Sequence, residues 1–203
     1  LVSDEHADAD GAQLTQRTHH SGVALVCAQR HRLSPGLIFE GAGTGTGRVE
    51  QRFVATLTPG ASVVIEKFVA YDDGNGTAAD GVDAVLVRAH AAGFDAVAVA
   101  QAGAMQAFWQ HAGLSVDGDP AAELALRFNL FHLLQSAGRD GITGTAAKGI
   151  TGEGYEGHCF WDTEAFVLPV MAFTAPDVAR AMLMYRYRTL DGARDTARAM
   201  NHP

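Results

Sequence analysis

The sequence predicts an α+β chain in which a run of antiparallel strands comes before a run of helices. Three observations predict it. From Gly22 to about Asp72, short segments rich in Val, Ile and Phe alternate with turn signals such as Thr58-Pro59-Gly60. From Ala84 to His111, and again after Pro120, apolar residues recur at helical spacing. Between two apolar helical segments lies a polar, glycine-rich stretch from Lys148 to Glu164, longer than an ordinary connection.

The 203 residues, 47% hydrophobic and 19% charged, suit one domain or parts of two, with a packed core rather than disorder. A net charge of −8 argues against nucleic acid and anionic membrane surfaces as partners. The two cysteines, Cys27 and Cys159, lie far apart and suggest no disulfide framework, which points to a reducing cytoplasm. The residues show neither a basic-then-apolar leader nor an apolar run of membrane-spanning length. The first residue is Leu1 rather than Met, and Asn201-His202-Pro203 reads as a connection between helices, so a fragment of a longer protein is expected.

Residues 1 to about 18 are polar and predict a loose end. His19 and His20 would point to opposite faces of a strand and chelate poorly. Candidate strands are Val23–Cys27, Arg48–Leu57 and Ser62–Tyr71, joined by tight turns. Gly41-Ala42-Gly43-Thr44-Gly45-Thr46-Gly47 lacks the Lys-Ser/Thr ending of a phosphate loop and reads as a mobile hairpin tip. Asp72-Asp73-Gly74-Asn75-Gly76 reads as a linker, since the later ligand positions of a calcium loop do not follow.

Ala84–His111 is helical, with Gly93 and Gly103 as possible breaks. Pro120 suits a first helical position, with Asp119 as N-cap and a stop at Gly138. Leu124, Phe128, Phe131 and Leu134 form an apolar stripe beside the polar His132 and Gln135, which are expected to make core hydrogen bonds. Thr163–Phe173 is apolar nearly all round, as in a buried helix, with Pro169 kinking or ending it. Thr174-Ala175-Pro176-Asp177 starts a helix that reaches about Leu190, and Asp191-Gly192 turns the chain into another. Arg180, Arg186 and Arg188 suit a solvated face or helix pairing. Helix after helix with short connections suits an all-α toroid of hairpins.

The candidate site is Lys148–Glu164. It gathers carboxylates, His158, and the aromatics Tyr155, Phe160 and Trp161. Gly149, Gly152, Gly154 and Gly157 permit positive φ and close approach of backbone to a ligand. Flat rings beside hydrogen-bonding groups suit a sugar, which has polar edges and weakly apolar faces.

Three stretches carry a resemblance: Arg127-Phe128-Asn129-Leu130-Phe131-His132-Leu133-Leu134-Gln135, Lys148-Gly149-Ile150-Thr151-Gly152-Glu153-Gly154-Tyr155, and Gly157-His158-Cys159-Phe160-Trp161-Asp162-Thr163-Glu164. In this order they resemble glycoside hydrolase family 65, the maltose, trehalose and kojibiose phosphorylases. Tyr185–Leu190 and Ala193-Arg194 look like the next helices of that family. The resemblance implies that 1–72 ends an N-terminal β-sandwich, 73–113 is a helical linker, and 114–203 begins an (α/α)6 barrel.

It also implies an inverting phosphorylase that cleaves an α-glucosyl disaccharide with inorganic phosphate, giving β-glucose 1-phosphate and a sugar. Phosphate is a co-substrate, and no cofactor or metal is implied. Trp161 and Asp162 match the family's glucose-binding pair; Phe160, Arg139, Lys148 and His158 are candidates for the pocket wall. No catalytic residue is assigned here, because the family's general acid and main phosphate contacts lie beyond Pro203, so this stretch alone is expected to be inactive. The family suggests a homodimer for the intact enzyme. A hydrolase of the same fold and a noncatalytic carbohydrate-binding fragment are the alternative readings.

Overall fold

A computed structural model describes residues 2–19, 22–73, 81–152 and 154–202. The chain divides into two compact units, Leu1–Ala102 and Gly103–Pro203. As the sequence predicts, antiparallel strands come first and helices follow.

In the first unit, the four strands β1 (Val2–Ala7), β2 (Ala12–Arg17), β3 (Ala24–Leu33) and β6 (Ile65–Asp72) pair antiparallel in the order β1-β2-β3-β6. The strands β4 (Ile38–Gly45) and β5 (Arg48–Val54) form a separate hairpin that packs against β1 and β2. The expected loose end is therefore a strand pair. Its turn is closed by the Asp8 carboxylate, which accepts from the backbone N–H of Asp10 at 2.8 Å and of Gly11 at 3.0 Å. The ladder with β3 then fixes the register, from Ala12↔Gln29 to Arg17↔Ala24. A polar strand satisfies its backbone as well as an apolar one does, so composition concealed it.

The glycine run is likewise mostly strand. Gly41, Gly43 and Gly45 belong to β4, and the hairpin tip is Thr46-Gly47, where Gly47 takes φ 72°. The linker expected at Asp72–Gly76 lies outside the described residues from Gly74 onward, as does His20 of the His19–His20 pair.

One helix covers the sheet. Val82 and Leu86 of α1 (Gly81–Ala92) pack on Ala28, Phe68 and Ala70 of β3 and β6. Arg32 donates to the carbonyls of His90 and Ala91, satisfying the end of α1. Gly93 then separates α1 from α2 (Phe94–Ala112), whereas Gly103 lies inside α2 without breaking it.

Beneath the hairpin, the His31 ring meets Phe53 edge-on at 5.0 Å. Burial, and then the Lys67 ammonium, hold His31 below the ordinary imidazole range against a hydrogen bond with Gln51. The folded state thus prefers the neutral ring.

In the second unit, Phe108 and Ala112 of α2 pack on Leu130 and Leu134 of α3 (Pro120–Ser136). Asp119 caps α3 as expected, accepting from the Ala122 N–H at 2.9 Å. The predicted apolar stripe is mostly not buried. Of its four residues Leu134 is inside and Phe131 half-buried, while Leu124 is 70% and Phe128 60% exposed; Leu130, outside the predicted stripe, takes the other inside position.

The segment after the site loop begins with a π-helical turn, Thr163–Val167, and continues as α4 (Leu168–Thr174). Leu168 N–H donates to the Thr163 carbonyl, five residues back. Pro169 has no N–H to continue a regular ladder from the preceding turn, so it widens the helix there instead of ending it. Nor is this segment buried all round: Met171 is 0% exposed against Ala137, Ala179 and Met182, but Phe173 is 87% exposed.

The last helix, α5 (Pro176–Ala199), runs unbroken through the expected turn at Asp191-Gly192. Ion pairs at i,i+3 spacing, Asp191–Arg194 at 3.1 Å and Asp195–Arg198 at 2.8 Å, support that stretch. They help offset the roughly 1 kcal/mol that a glycine costs inside a helix.

Two expectations follow. Met171→Ala should lower stability by about 2–5 kcal/mol in chemical denaturation, because it opens a cavity, while Phe173→Ala should stay within about 0.5 kcal/mol. For His31, the unfolded imidazole binds protons at higher pH than the folded one. Stability from the neutral ring is present above about pH 6.5 and declines as pH falls towards the depressed folded value. His31→Leu should flatten melting temperature against pH between about 7.5 and 5, and an unchanged slope would exclude His31 as the titrating group.

Candidate functional site

The site loop runs from the end of α3 to the π turn and is fastened at both ends by side chains acting on backbone. The Arg139 guanidinium donates to the Leu134 carbonyl at 2.9 Å and so closes the C-terminus of α3. The Asp140 carboxylate accepts from the Ile142 and Thr143 N–H groups, each at 2.7 Å, and from the Thr143 hydroxyl at 2.7 Å. Burial pushes the Asp140 carboxyl up, but these hydrogen bonds outweigh it and leave the group below its usual range. Arg188 of α5 donates to the Gly141 carbonyl at 3.0 Å.

The middle of the loop turns tightly. Gly149, Gly152, Gly154 and Gly157 all take positive φ, as the sequence predicts. Tyr155 (φ 54°) and Glu156 (φ 51°) join them in the left-handed region, each at a cost of about 1–2 kcal/mol. Local bonds hold this bend: His158 N–H donates to the Tyr155 carbonyl at 2.8 Å, and the Tyr155 and Phe160 rings meet edge-on at 5.4 Å. Glu153 lies outside the described residues.

At the far end the Arg186 guanidinium forms a bidentate pair with Glu164, Nε to Oε1 at 2.7 Å and Nη2 to Oε2 at 2.9 Å. The same Nη2 donates to the Phe160 carbonyl at 3.0 Å. The hydrogen bonds to Glu164 raise the Arg186 pKa against the opposing effect of burial.

A hollow of 520 Å³ opens between α3, the loop and the π turn. Of the six residues singled out from sequence, Lys148 and Asp162 line it. Trp161 stands beside it, 71% exposed, its ring 6.1 Å from that of Phe166. Phe160 packs on Tyr155, Arg139 caps α3, and His158 contributes a backbone bond; these three do not line the hollow.

Sequence reasoning passed over Asn129, Ser136 and Thr145, which do line it, and set His132 down as a core hydrogen-bonding residue. Asn129, His132 and Ser136 recur at i, i+3 and i+7, a polar stripe whose helical spacing was available as a signal. The His132 Nδ1 and Thr145 Oγ1 atoms are buried without a hydrogen-bond partner, contrary to the expected core bond for His132. A flat exposed ring, a carboxylate and several amide and hydroxyl groups around one concavity can bind a polyhydroxylated molecule.

Gly144 sits at a close contact between the loop, Cys159 and Tyr185. A Cβ there would lie 2.5 Å from Cys159 Sγ and 2.7 Å from Tyr185 Cζ. Gly144→Ala should therefore cost about 1–3 kcal/mol in a thermal or chemical melt. Adding Cys159→Ala should return part of that loss, and a double variant no more stable than Gly144→Ala would place the strain elsewhere.

Comparison with known proteins gives a consistent result. The models described as "Glycosyl hydrolase family 65, N-terminal domain" and "Glycosyl hydrolase family 65 central catalytic domain" match residues 1–108 and 127–203. An alpha,alpha-trehalose phosphorylase of Thermoanaerobacter brockii is 35% identical over 199 residues, 93% of this chain and 25% of the relative. A kojibiose phosphorylase of Caldanaerobacter subterraneus is 50% identical over 90 residues, 44% of this chain and 12% of the relative. A solved structure from the human microbiome superposes with TM-score 0.81 at 23% identity, covering 98% of this chain and 27% of that one. The chain thus spans about a quarter of the length of relatives matched along nearly all of it. Among the described residues, no helix is long and apolar enough to cross a membrane.

Proposed function

The chain belongs to glycosyl hydrolase family 65, and from that membership we propose that it is part of an inverting α-glucoside phosphorylase. In this reading residues 1–72 end a β-sandwich, 73–113 link, and 114–203 begin an (α/α)6 barrel. The carrying observation is that Asp162 lines the 520 Å³ hollow immediately beside the exposed Trp161. The similar trehalose and kojibiose phosphorylases favour a disaccharide and phosphate as substrates.

The chemistry asks little of these residues beyond binding and orientation. A carboxylic acid protonates the glycosidic oxygen as its bond to the anomeric carbon breaks, and a phosphate oxygen attacks that carbon from the opposite face. The released sugar keeps the proton, and the glucosyl group leaves as β-glucose 1-phosphate. Trp161 packs on the pyranose face, and the Asp162 carboxylate accepts hydrogen bonds from its hydroxyls. Phe160 supports the loop beneath them through Tyr155. Of the wall candidates Lys148 is kept, because it lines the hollow, whereas Arg139 and His158 hold backbone at the ends of the loop's turns. The acid and the main phosphate contacts come from the part of the enzyme outside these 203 residues. No cofactor is required, and the intact enzyme is a cytoplasmic homodimer in this reading.

The test uses the full-length protein that carries this chain, incubated with maltose, trehalose and kojibiose, with and without phosphate. Phosphate-dependent release of glucose 1-phosphate from one of them is expected. Free glucose without phosphate would make the enzyme a hydrolase instead. Asp162→Asn should lower kcat/KM about 10- to 100-fold, the scale of roughly 1.5–3 kcal/mol for a hydrogen bond to a charged group. A near wild-type value would remove Asp162 from the site.

A further inference from the structure

We propose that Arg186 is a positioning residue for the Trp161–Asp162 pair, acting through Glu164 and the Phe160 carbonyl without touching the sugar. This rests on the reading of Trp161 and Asp162 as sugar contacts. Phe160 and Glu164 bracket Trp161, Asp162 and Thr163, and one guanidinium holds both brackets. Its contacts at 2.7, 2.9 and 3.0 Å use Nε and Nη2 in a single planar fork.

The other bonds of the bracketed segment are local: the Phe160 carbonyl also accepts from the Thr163 N–H, at a longer 3.3 Å. The segment's backbone is at the first turn of a helix, where the Trp161 carbonyl is shared between the N–H groups of Glu164 at 3.0 Å and Ala165 at 3.1 Å. The turn that follows is π-helical, a wider and less regular register. Trp161 itself is largely exposed, with a tilted contact to the Phe166 ring at 6.1 Å, so packing holds its direction weakly. The direction of the ring and of the Asp162 carboxylate therefore depends on where the backbone from 160 to 164 is held.

Neither Arg186 nor Glu164 lines the 520 Å³ hollow; both line a much smaller space beside Cys159 and Tyr185. Glu164, committed to the guanidinium through both oxygens, acts as an acceptor rather than as a proton donor. Lysine cannot replace the fork, because a point charge on a flexible stem cannot address the carboxylate side-on and the carbonyl together.

The experiment uses the full-length enzyme with Arg186→Lys, Glu164→Gln, the double variant and Asp162→Asn. For each, the folded fraction is measured by circular dichroism, and kcat and KM are measured separately for disaccharide and for phosphate. Arg186→Lys and Glu164→Gln should each lower kcat/KM for the disaccharide about 10- to 100-fold per folded molecule, with the KM for phosphate nearly unchanged. The double variant should be no worse than the worse single one, since both remove the same clamp. A loss that disappears once the folded fraction is taken into account would overturn the proposal and leave a purely structural ion pair. An equal rise in the KM values for disaccharide and for phosphate would overturn it too. Glu164→Gln keeps the side-chain shape, so the test stands even where Arg186→Lys folds poorly. If Asp162→Asn is itself near wild type, the sugar-contact reading fails and the positioning role with it. A damaged Asp162→Asn beside unaffected Arg186→Lys and Glu164→Gln would sink the positioning role alone.

Discussion

The Arg186 guanidinium joins the site loop to α5, and the order of the loop's last residues depends on it. It satisfies the Glu164 carboxylate and the Phe160 carbonyl, which otherwise accepts from the Thr163 N–H at a longer 3.3 Å. The ion pair is about one-third exposed on each side, neither deep enough for the full desolvation penalty nor loose enough to be a surface pair. The worth of such a pair lies in geometry more than in stability. A planar fork admits one arrangement of its acceptors, and that arrangement carries Trp161 and Asp162 with it.

The rest of the loop is built in the same manner, by side chains that hold backbone. Arg139 closes α3, Asp140 folds the first turn, and Arg188 holds the Gly141 carbonyl. These bonds compensate for the lack of regular ladders in a long connection. They also tolerate the left-handed Tyr155 and Glu156, whose cost is offset by the Tyr155–Phe160 ring contact and the bond from His158. Backbone conformations of this kind persist where surrounding structure over-determines them. Here that structure surrounds the residues read as sugar contacts.

Much of this was legible in the chain. The order of strands before helices, the Asp119-Pro120 helix start and the four glycines at positive φ all follow from local chemistry. The site stretch was legible because flat rings, carboxylates and glycines are concentrated there, and the family resemblance rests on the same residues. Misreadings arose where local preference was weak or tertiary contact overrode it. Residues 1–18 look loose because their strands are polar, yet the ladder to β3 orders them. Asp191-Gly192 looks like a turn, yet α5 continues because flanking ion pairs and the helix ladder outweigh one glycine.

The sequence by itself determined the secondary elements with strong local signals and the family, and it marked the pair Trp161–Asp162 as the candidate sugar contact, because each depends on residues close together along the chain. Tertiary structure decided which of the polar residues share a concavity. It placed Lys148 and Asp162 on the hollow with Asn129, His132, Ser136 and Thr145, and it put Arg139 and His158 to work on backbone instead. It also brought Arg186 to Glu164, 22 residues away. No local rule encodes such a pairing. It depends on how α5 packs against the turn it clamps, which is settled only when the core around Met171 closes.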